Sequence, residues 1–394
     1  MAPGSVTEKM YSKSVMLLLR ERIKFLACLA HRTVALYVLK RLVCSFFTRE
    51  RSNSWRTICM AAAFRFAIDH SDLRSNMSSS LKNYLKWTES SNLPAAVDEL
   101  PDGAHLLWIG PKQLDQVILY FHGGAYMMSC SGNVMTYCQY LHEELRQRNI
   151  HVGIAILAYS ASPYSPPHVV DSFMIQAELV PDNPFPTQLR ETKAALDMLL
   201  NGGAKPENIT LAGASAGGNL VLQMLAHILH RLPSVEPIPE TRFRGVFLMS
   251  PWVSMKADNG LAQHLLDAKH KYDNISSLYG RHVCRTLLKD ISDTDIPFVD
   301  PLEAPEDWFN GIDRLADSVF VMWGEVECLM EGQKRLCNKY LEPYHPQVEM
   351  YEQVSGVHCQ PIWDSAWMSN VGEPRIVEWF SHVHTTGKAK EEAI

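Results

Sequence analysis

The serine in Gly213-Ala214-Ser215-Ala216-Gly217 has the surroundings of a nucleophile. A residue held at the tip of a very tight turn adopts strained backbone angles, and only small neighbours let the incoming and outgoing segments approach closely. Ala214, Ala216, Gly217 and Gly218 meet that need. The apolar run Ile209–Ala212 precedes the turn and a helical run follows from Gly218. That context of strand, turn and helix is what a nucleophile elbow requires. The N-terminus of the helix also aims positive dipole at negative charge developing beside Ser215.

Attack of a serine on an acyl carbon puts charge on the carbonyl oxygen, and that charge needs donors placed beforehand. His122-Gly123-Gly124-Ala125-Tyr126 directly follows the apolar run Val117–Phe121. Consecutive glycines let backbone N–H groups converge, so Gly123 and Gly124 are the expected donors, with Ala216 N–H as a third. His122 is expected to brace the loop rather than to act as a base. After an elbow serine, the acid and then the histidine follow at the ends of later strands. Val319–Trp323 runs into Gly324-Glu325-Val326-Glu327-Cys328-Leu329, and Val348–Glu352 leads to Gly356-Val357-His358. Position after the last strand makes His358 the expected base among sixteen histidines. It would take the Ser215 proton and hand it to the leaving group, while the acid holds its tautomer. Cys328 and Cys359 in the same two loops are read as small apolar packing residues. No His/Cys/Asp cluster with ligand spacing lies near either loop, so neither a metal nor a cofactor is expected.

Several elements must position these residues. Short apolar runs at Val117–Phe121, Val152–Leu157, Ile209–Ala212, Gly245–Met249, Val319–Trp323 and Val348–Glu352 alternate with helical patterns. The helical patterns cover Thr136–Arg148, Gln188–Asn201, Gly218–Arg231 and Glu331–Leu341. Such alternation predicts an α/β protein with a mostly parallel sheet and helices on both faces. Residues 255–308 interrupt the pattern and are too long for an ordinary connection. They are expected to form a helical insertion above the sheet that shapes a substrate pocket. The polar tail after His382 is expected to fray.

The three ordered motifs resemble the hormone-sensitive-lipase-like branch of the α/β-hydrolases, over about residues 100 to 382. That branch carries HGG loops, GxSAGG elbows and an acid in a Gly-x-x-Asp-x-Leu setting. The resemblance implies an α/β-hydrolase fold and a catalytic triad of Ser215, Glu327 and His358, with Glu327 standing where the branch has aspartate. Glu331, on a second acidic position of the motif, is the next candidate acid and Glu325 the third. Ser54-Trp55-Arg56 and Phe185-Pro186-Thr187-Gln188-Leu189 resemble fungal steryl-acetyl-hydrolase-like and secondary-metabolite hydrolases. One departure stands out. The family runs from Tyr through Leu-Ala-Pro to Phe-Pro within a few residues, whereas here Ser160–Ala177 separates Tyr159 from Leu179. This stretch reads as a surface loop or as retained intron sequence.

The resemblance implies hydrolysis of a carboxylic ester through an acyl-enzyme on Ser215, and the insertion and the apolar N-terminal segment favour an apolar substrate over a sugar. A deacetylation of a moderately apolar sterol or secondary metabolite is the favoured form. Acyl transfer or cyclisation would use the same residues. A ligand-binding receptor is a further class. Relatives of that kind lose the catalytic histidine, which this chain retains as His358.

The composition agrees with a folded enzyme. Of 394 residues, 46% are hydrophobic and 20% charged, enough for a sizeable core. The net charge of −6 argues against nucleic acid as a partner. Residues 1–60 nevertheless carry eleven Lys/Arg and three acids, a balance of +8 that leaves −14 for the rest. Apolar clusters within this segment are interrupted by basic residues, and no run reaches the ~18 uncharged residues of a spanning helix. Residues 1–75 are therefore expected to form a basic, apolar helical segment ahead of a catalytic domain at 76–394. The segment is a cap, or binds a membrane surface peripherally through residues 15–47. No cleaved signal peptide is expected. Nine cysteines without a CxxC pair fit reduced thiols and an intracellular location, in the cytoplasm or on the cytosolic face of a membrane such as the endoplasmic reticulum.

Overall fold

The computed structural model describes residues 32–46, 54–70, 79–101, 103–159, 184–255, 272–367 and 373–391. Among these described residues, eight strands form one sheet: β1 (Val97–Glu99), β2 (His105–Ile109), β3 (Val117–Phe121), β4 (Gly153–Ala158), β5 (Ile209–Ala214), β6 (Gly245–Met249), β7 (Val319–Gly324) and β8 (Val348–Gln353). Their order is β1-β2-β4-β3-β5-β6-β7-β8. The β1–β2 and β2–β4 pairs are antiparallel and all later pairs are parallel. Every residue of β3, β4, β5, β6 and β7 is buried. That is the expected state of parallel strands covered on both faces, and it explains why these segments are apolar throughout instead of alternating.

The N-terminal helices are a stretch at 32–45, here α1, then α2 (Trp55–His70) and α3 (Ser80–Ser90). The sheet is flanked by α4 (Gly132–Gln147), α5 (Thr187–Asn201) and α6 (Ala216–His230). Further on come α7 (Ser277–Leu288), α8 (Met330–Leu336), α9 (Gln360–Trp367) and α10 (Pro374–Glu391). Apolar residues of α5, α6 and α8 build the core on one face, and those of α3, α4, α9 and α10 build it on the other. Helix α6 is buried from Ala216 to His227, so it is apolar nearly all round.

All six strands expected from the sequence are present. Val117–Phe121 and Gly245–Met249 match residue for residue. Strands β1 and β2 were not anticipated. The first is three residues long and polar. The second is a short apolar run whose partner β4 lies some fifty residues on. Helix Met330–Leu336 ends earlier than expected and continues as a π-helical turn, Cys337–Leu341. The expected fraying does not begin at His382. Helix α10 runs on to Glu391, anchored by buried His384, which bonds Gln116 at 2.8 Å and Thr210 at 3.3 Å.

Within residues 255–308 lie α7 and two short turns, Ile296–Val299 and Pro301–Glu303. Helix α2 packs against both α7 and α9. Ser160–Ala177, residues 256–271 and residues 15–31 of the expected membrane-facing segment lie outside the described residues. Among the described residues, no helix is long and apolar enough to cross a membrane.

Candidate active site

Ser215 sits between the end of β5 and the start of α6 with φ 54° and ψ −118°. An L-residue held there costs on the order of 1–3 kcal/mol, and the surroundings must over-determine it. They do so through the backbone. The Ser215 N–H donates to the Met249 carbonyl at 2.9 Å, and the Ser215 carbonyl accepts the N–H groups of Trp252 and Asn219 at 3.0 and 3.1 Å. A Cβ added to Gly217 would lie 1.9 Å from the Phe121 carbonyl oxygen, so only glycine lets the helix start this close to β3. Ala216 opens α6, and the first N–H groups of a helix have no intrahelical acceptor.

The loop after β3 approaches the serine directly. A Cβ on Gly123 would be 3.2 Å from Ser215 Cβ. Tyr159 holds this loop: its hydroxyl donates to the carbonyls of His122 and Gly123 at 2.8 and 3.3 Å, and its ring stacks on His122 at 4.0 Å between centroids. His122 is fully buried and its Nδ1 lies 2.6 Å from the Gly123 carbonyl. Burial lowers its pKa to about 4, which keeps the ring neutral at ordinary pH. His122 therefore braces the loop, as its sequence setting suggests. A second brace is Tyr126, whose hydroxyl donates to Asn219 Oδ1 at 2.7 Å.

Glu327 and His358 come together from the ends of β7 and β8. His358 Nδ1 is 2.8 Å from Glu327 Oε1, with Glu327 fully buried and His358 nearly so. Gln333 Nε2 donates to the same oxygen at 2.7 Å. Glu327 Oε2 accepts the Ser250 hydroxyl at 2.8 Å and the Gly324 N–H at 3.0 Å. Four donors satisfy this carboxylate, which is what a buried charge needs. Burial raises the Glu327 pKa, but His358, Gly324 and Gln333 overcome that and leave it lowered. For His358, burial disfavours the imidazolium, yet Cys359 and Glu327 more than compensate and hold it well above the ordinary histidine range.

The alternative acids are elsewhere. Glu331 is exposed on α8, and Glu325 Oε2 accepts the Ser355 N–H at 2.9 Å. Ser250 and Gln333 were missed by reading the sequence. The only signal for Ser250 was its place just past β6, between the strands that carry Ser215 and Glu327. Its left-handed φ of 46° turns the hydroxyl to Glu327, and the same oxygen accepts the Cys359 N–H at 3.1 Å.

Ser215, His358, Gly123 and Gly124 line one cavity of about 400 Å³. Its walls are apolar and come from three parts of the chain: Phe64 of α2, Trp252 and Ile275 around the insertion, and Ile362 and Trp363 of α9. Phe64 packs on Trp363 at 4.8 Å between ring centroids. The cavity suits an apolar group with one reactive polar bond.

The family model for steryl acetyl hydrolase matches residues 108–373, well over half of the chain. The protein belongs to the steryl acetyl hydrolase family. Among curated relatives of this family member, an esterase of Acinetobacter venetianus is 24% identical over 57% of this chain and 61% of its own length. An acetyl-hydrolase of Streptomyces hygroscopicus is 28% identical over 38% of this chain and 41% of its own. The match thus spans roughly two fifths to three fifths of these relatives. A solved esterase of the bacterial hormone-sensitive lipase family superimposes with a TM-score of 0.58 at 19% identity, covering 84% of this chain and 97% of that one. A hormone-sensitive lipase from a metagenome library gives 0.57 at 17% identity, with 84% and 98% covered. The family member therefore has the α/β-hydrolase fold.

Proposed function

We propose that this protein hydrolyses a carboxylic ester through an acyl-enzyme on Ser215. The observation that carries the proposal is the buried Glu327–His358 pair at 2.8 Å, with His358 facing the same cavity as Ser215 and the Gly123–Gly124 loop. Ser215 Oγ attacks the acyl carbon while His358 Nε2 takes its proton. The oxyanion is met by the N–H groups of Gly123, Gly124 and Ala216, and the helix N-terminus adds its dipole. Collapse breaks the ester bond, and His358 returns the proton to the departing alkoxide. Water, deprotonated by the same histidine, then releases the acid and regenerates Ser215. Glu327 holds Nδ1 protonated and stabilises the imidazolium throughout.

The apolar walls support a moderately apolar alcohol, such as a sterol or a secondary metabolite, and the family and the acetyl-hydrolase relative support an acetyl group. The reading also divides the chain. Residues 76–394 form the catalytic domain, and residues 1–75 with the insertion at 255–308 form a cap, since Phe64 and Ile275 wall the cavity. Residues 15–47 would rest on the cytosolic face of a membrane. Helix α1 supports this with Leu36 67% and Phe46 69% exposed, alongside Leu39 and Val43 and the exposed charges of Arg32 and Lys40.

The test is turnover of p-nitrophenyl acetate together with labelling by a fluorophosphonate. The wild type should be labelled and active. Ser215→Ala should lose labelling and roughly 10⁴–10⁶ in rate while keeping its fold. Near-normal turnover by that variant would remove Ser215 from the mechanism.

A further inference from the structure

The segment between β6 and β7 carries a carboxylate that the reaction above does not use. Asp273 is fully buried, yet it lies in neither strand-end loop. Its Oδ1 accepts the backbone N–H of His358 at 2.9 Å and that of Asn274 at 2.8 Å. Its Oδ2 accepts the N–H of Cys328 at 2.9 Å. One carboxylate therefore bridges the residue after Glu327 and His358 itself. Asn274 closes the other side, with Nδ2 donating to the His358 carbonyl at 2.9 Å. The backbone of the base is gripped at both N–H and C=O by two consecutive residues of the insertion.

The same two residues are tied to the N-terminal helices. Arg65 of α2 donates to the Asp273 carbonyl at 3.0 Å, and Arg41 of α1 reaches it at 3.5 Å. Arg41 also bonds the Tyr272 carbonyl, and the Ser276 hydroxyl bonds Asp69 of α2. Arg41 is itself buried, although it belongs to the most basic part of the chain. A continuous path of hydrogen bonds thus runs from α1 and α2 through Asp273 to both loops that hold the acid and the base.

We infer that Asp273 is a positioning residue for the Glu327–His358 pair, and that α1 and α2 hold it in place through Arg41 and Arg65. The inference rests on the serine-hydrolase reading of Ser215, Glu327 and His358. Three backbone donors on one carboxylate need both oxygens as acceptors, which only the ionised form supplies without rearrangement. Burial, with the neighbouring Glu327 carboxylate, raises the Asp273 carboxyl above its ordinary value, and His358 and the N–H donors of Cys328 and His358 pull against that without reversing it. The groups facing it are His358, Glu327 and the Cys328 thiol from the strand-end loops, with the two guanidiniums on its carbonyl side. The ionised carboxylate favours the imidazolium that forms when Ser215 gives up its proton, so Asp273 contributes charge as well as geometry. In Asp273→Asn, one side of the amide can still accept the N–H groups of His358 and Asn274. The other side would present an NH₂ to the Cys328 N–H, and two donors would oppose each other.

The experiment compares wild type, Asp273→Asn and Arg65→Gln for kcat and KM on p-nitrophenyl acetate from acid to alkaline pH. The rate of fluorophosphonate labelling and a thermal melt accompany it. In Asp273→Asn, kcat and the labelling rate should both fall on the order of 10²-fold, as expected when a base is displaced by about an ångström, while KM changes little. The acid limb of the rate profile should move to lower pH, because a carboxylate that favoured the imidazolium is gone. Arg65→Gln should lower kcat and the labelling rate in the same direction by less, with KM little changed. An active wild type with Asp273→Asn within about threefold in kcat and an unmoved limb would overturn the positioning role alone. Should Asp273→Asn not fold, Arg65→Gln decides: a reduced kcat and labelling rate with KM and the melt little changed support the inference, and unchanged values overturn it. A wild type inert to both ester and probe would overturn the underlying reading itself.

Discussion

In the proposed mechanism His358 must be neutral at the moment Ser215 attacks, and its surroundings favour the charged form. Its pKa is raised well above the ordinary value, which is about 6.5. Turnover should therefore climb with pH through the folded-state value, so its acid limb should lie above about 6.5. Stability has the opposite sign. A histidine with a raised folded pKa stabilises the fold fully below its unfolded value, and that contribution is lost as pH rises through the folded value. Glu327, with its lowered pKa, contributes above its unfolded value and loses that contribution as pH falls through the folded one. Rate profiles and urea unfolding on one pH series should show activity rising where the histidine's contribution declines. An acid limb at or below the ordinary histidine value would contradict the reading. The rate should be unchanged in excess EDTA, since in the proposed mechanism backbone N–H groups meet the oxyanion charge.

At the same scale, Glu327→Gln should cost roughly 10³–10⁴ in kcat by analogy with other triad acids. One side of the new amide would present an NH₂ to donors among Ser250, Gly324 and Gln333, so a thermal melt is measured alongside to separate lost chemistry from lost fold. Glu331→Gln, on an exposed position, should cost little. Stopped assays of the two variants side by side would reverse the assignment if Glu331 proved the more damaging. That Glu327 would pair with His358 was legible through the family motif, because Glu327 holds the Asp position of Gly-x-x-Asp-x-Leu. Ser250 and Gln333 were not legible. The Ser250 hydroxyl meets a carboxylate 77 positions away, and only the parallel pairing of β5, β6 and β7 brings them together.

Among the elements, the buried parallel strands were the most readable. Val117–Phe121 and Gly245–Met249 are apolar from end to end because both faces of the sheet are covered. Strand β1, with Asp98 and Glu99, lies at the sheet's edge and has no such requirement, so nothing in its residues announces it. Helix α1 is legible as a helix, but its partner is not. Leu36, Leu39 and Val43 on it and Phe46 just past its end are exposed, while Tyr37 packs on Phe66 of α2 at 5.6 Å between centroids. Anionic liposomes should float the full-length protein at low salt, through apolar insertion and basic charge. A variant with Leu36, Leu39, Val43 and Phe46 changed to Ser should stay with the soluble fraction while keeping its turnover of a soluble ester. Equal flotation of the two proteins would reduce α1 to a structural element.

At the scale of the whole molecule, the sheet does the assembling. Ser215 follows β5, Glu327 follows β7 and His358 follows β8, all at the carboxyl ends where open α/β sheets build sites. The order of these residues along the chain carried enough information to find them, since each follows a readable strand. The insertion and the N-terminal segment were expected to cover the site, but the wall residues Phe64, Ile275 and Trp363 were not legible, because their approach depends on packing between α2, α7 and α9. Asp273 belongs to the same class, a residue defined by the two loops it bridges and by no local pattern.

The claim on which the rest depends is that acyl transfer passes through Ser215. Quenching the wild type with acid during turnover of p-nitrophenyl acetate, then digesting it and determining peptide masses, tests this directly. The account predicts an acetyl group on the peptide that contains Ser215, accumulating in a pre-steady-state burst and enriched in Glu327→Gln, where deacylation is slowed. Full turnover with no acetyl group on that peptide, or acetyl confined to another residue such as Cys359, would contradict it.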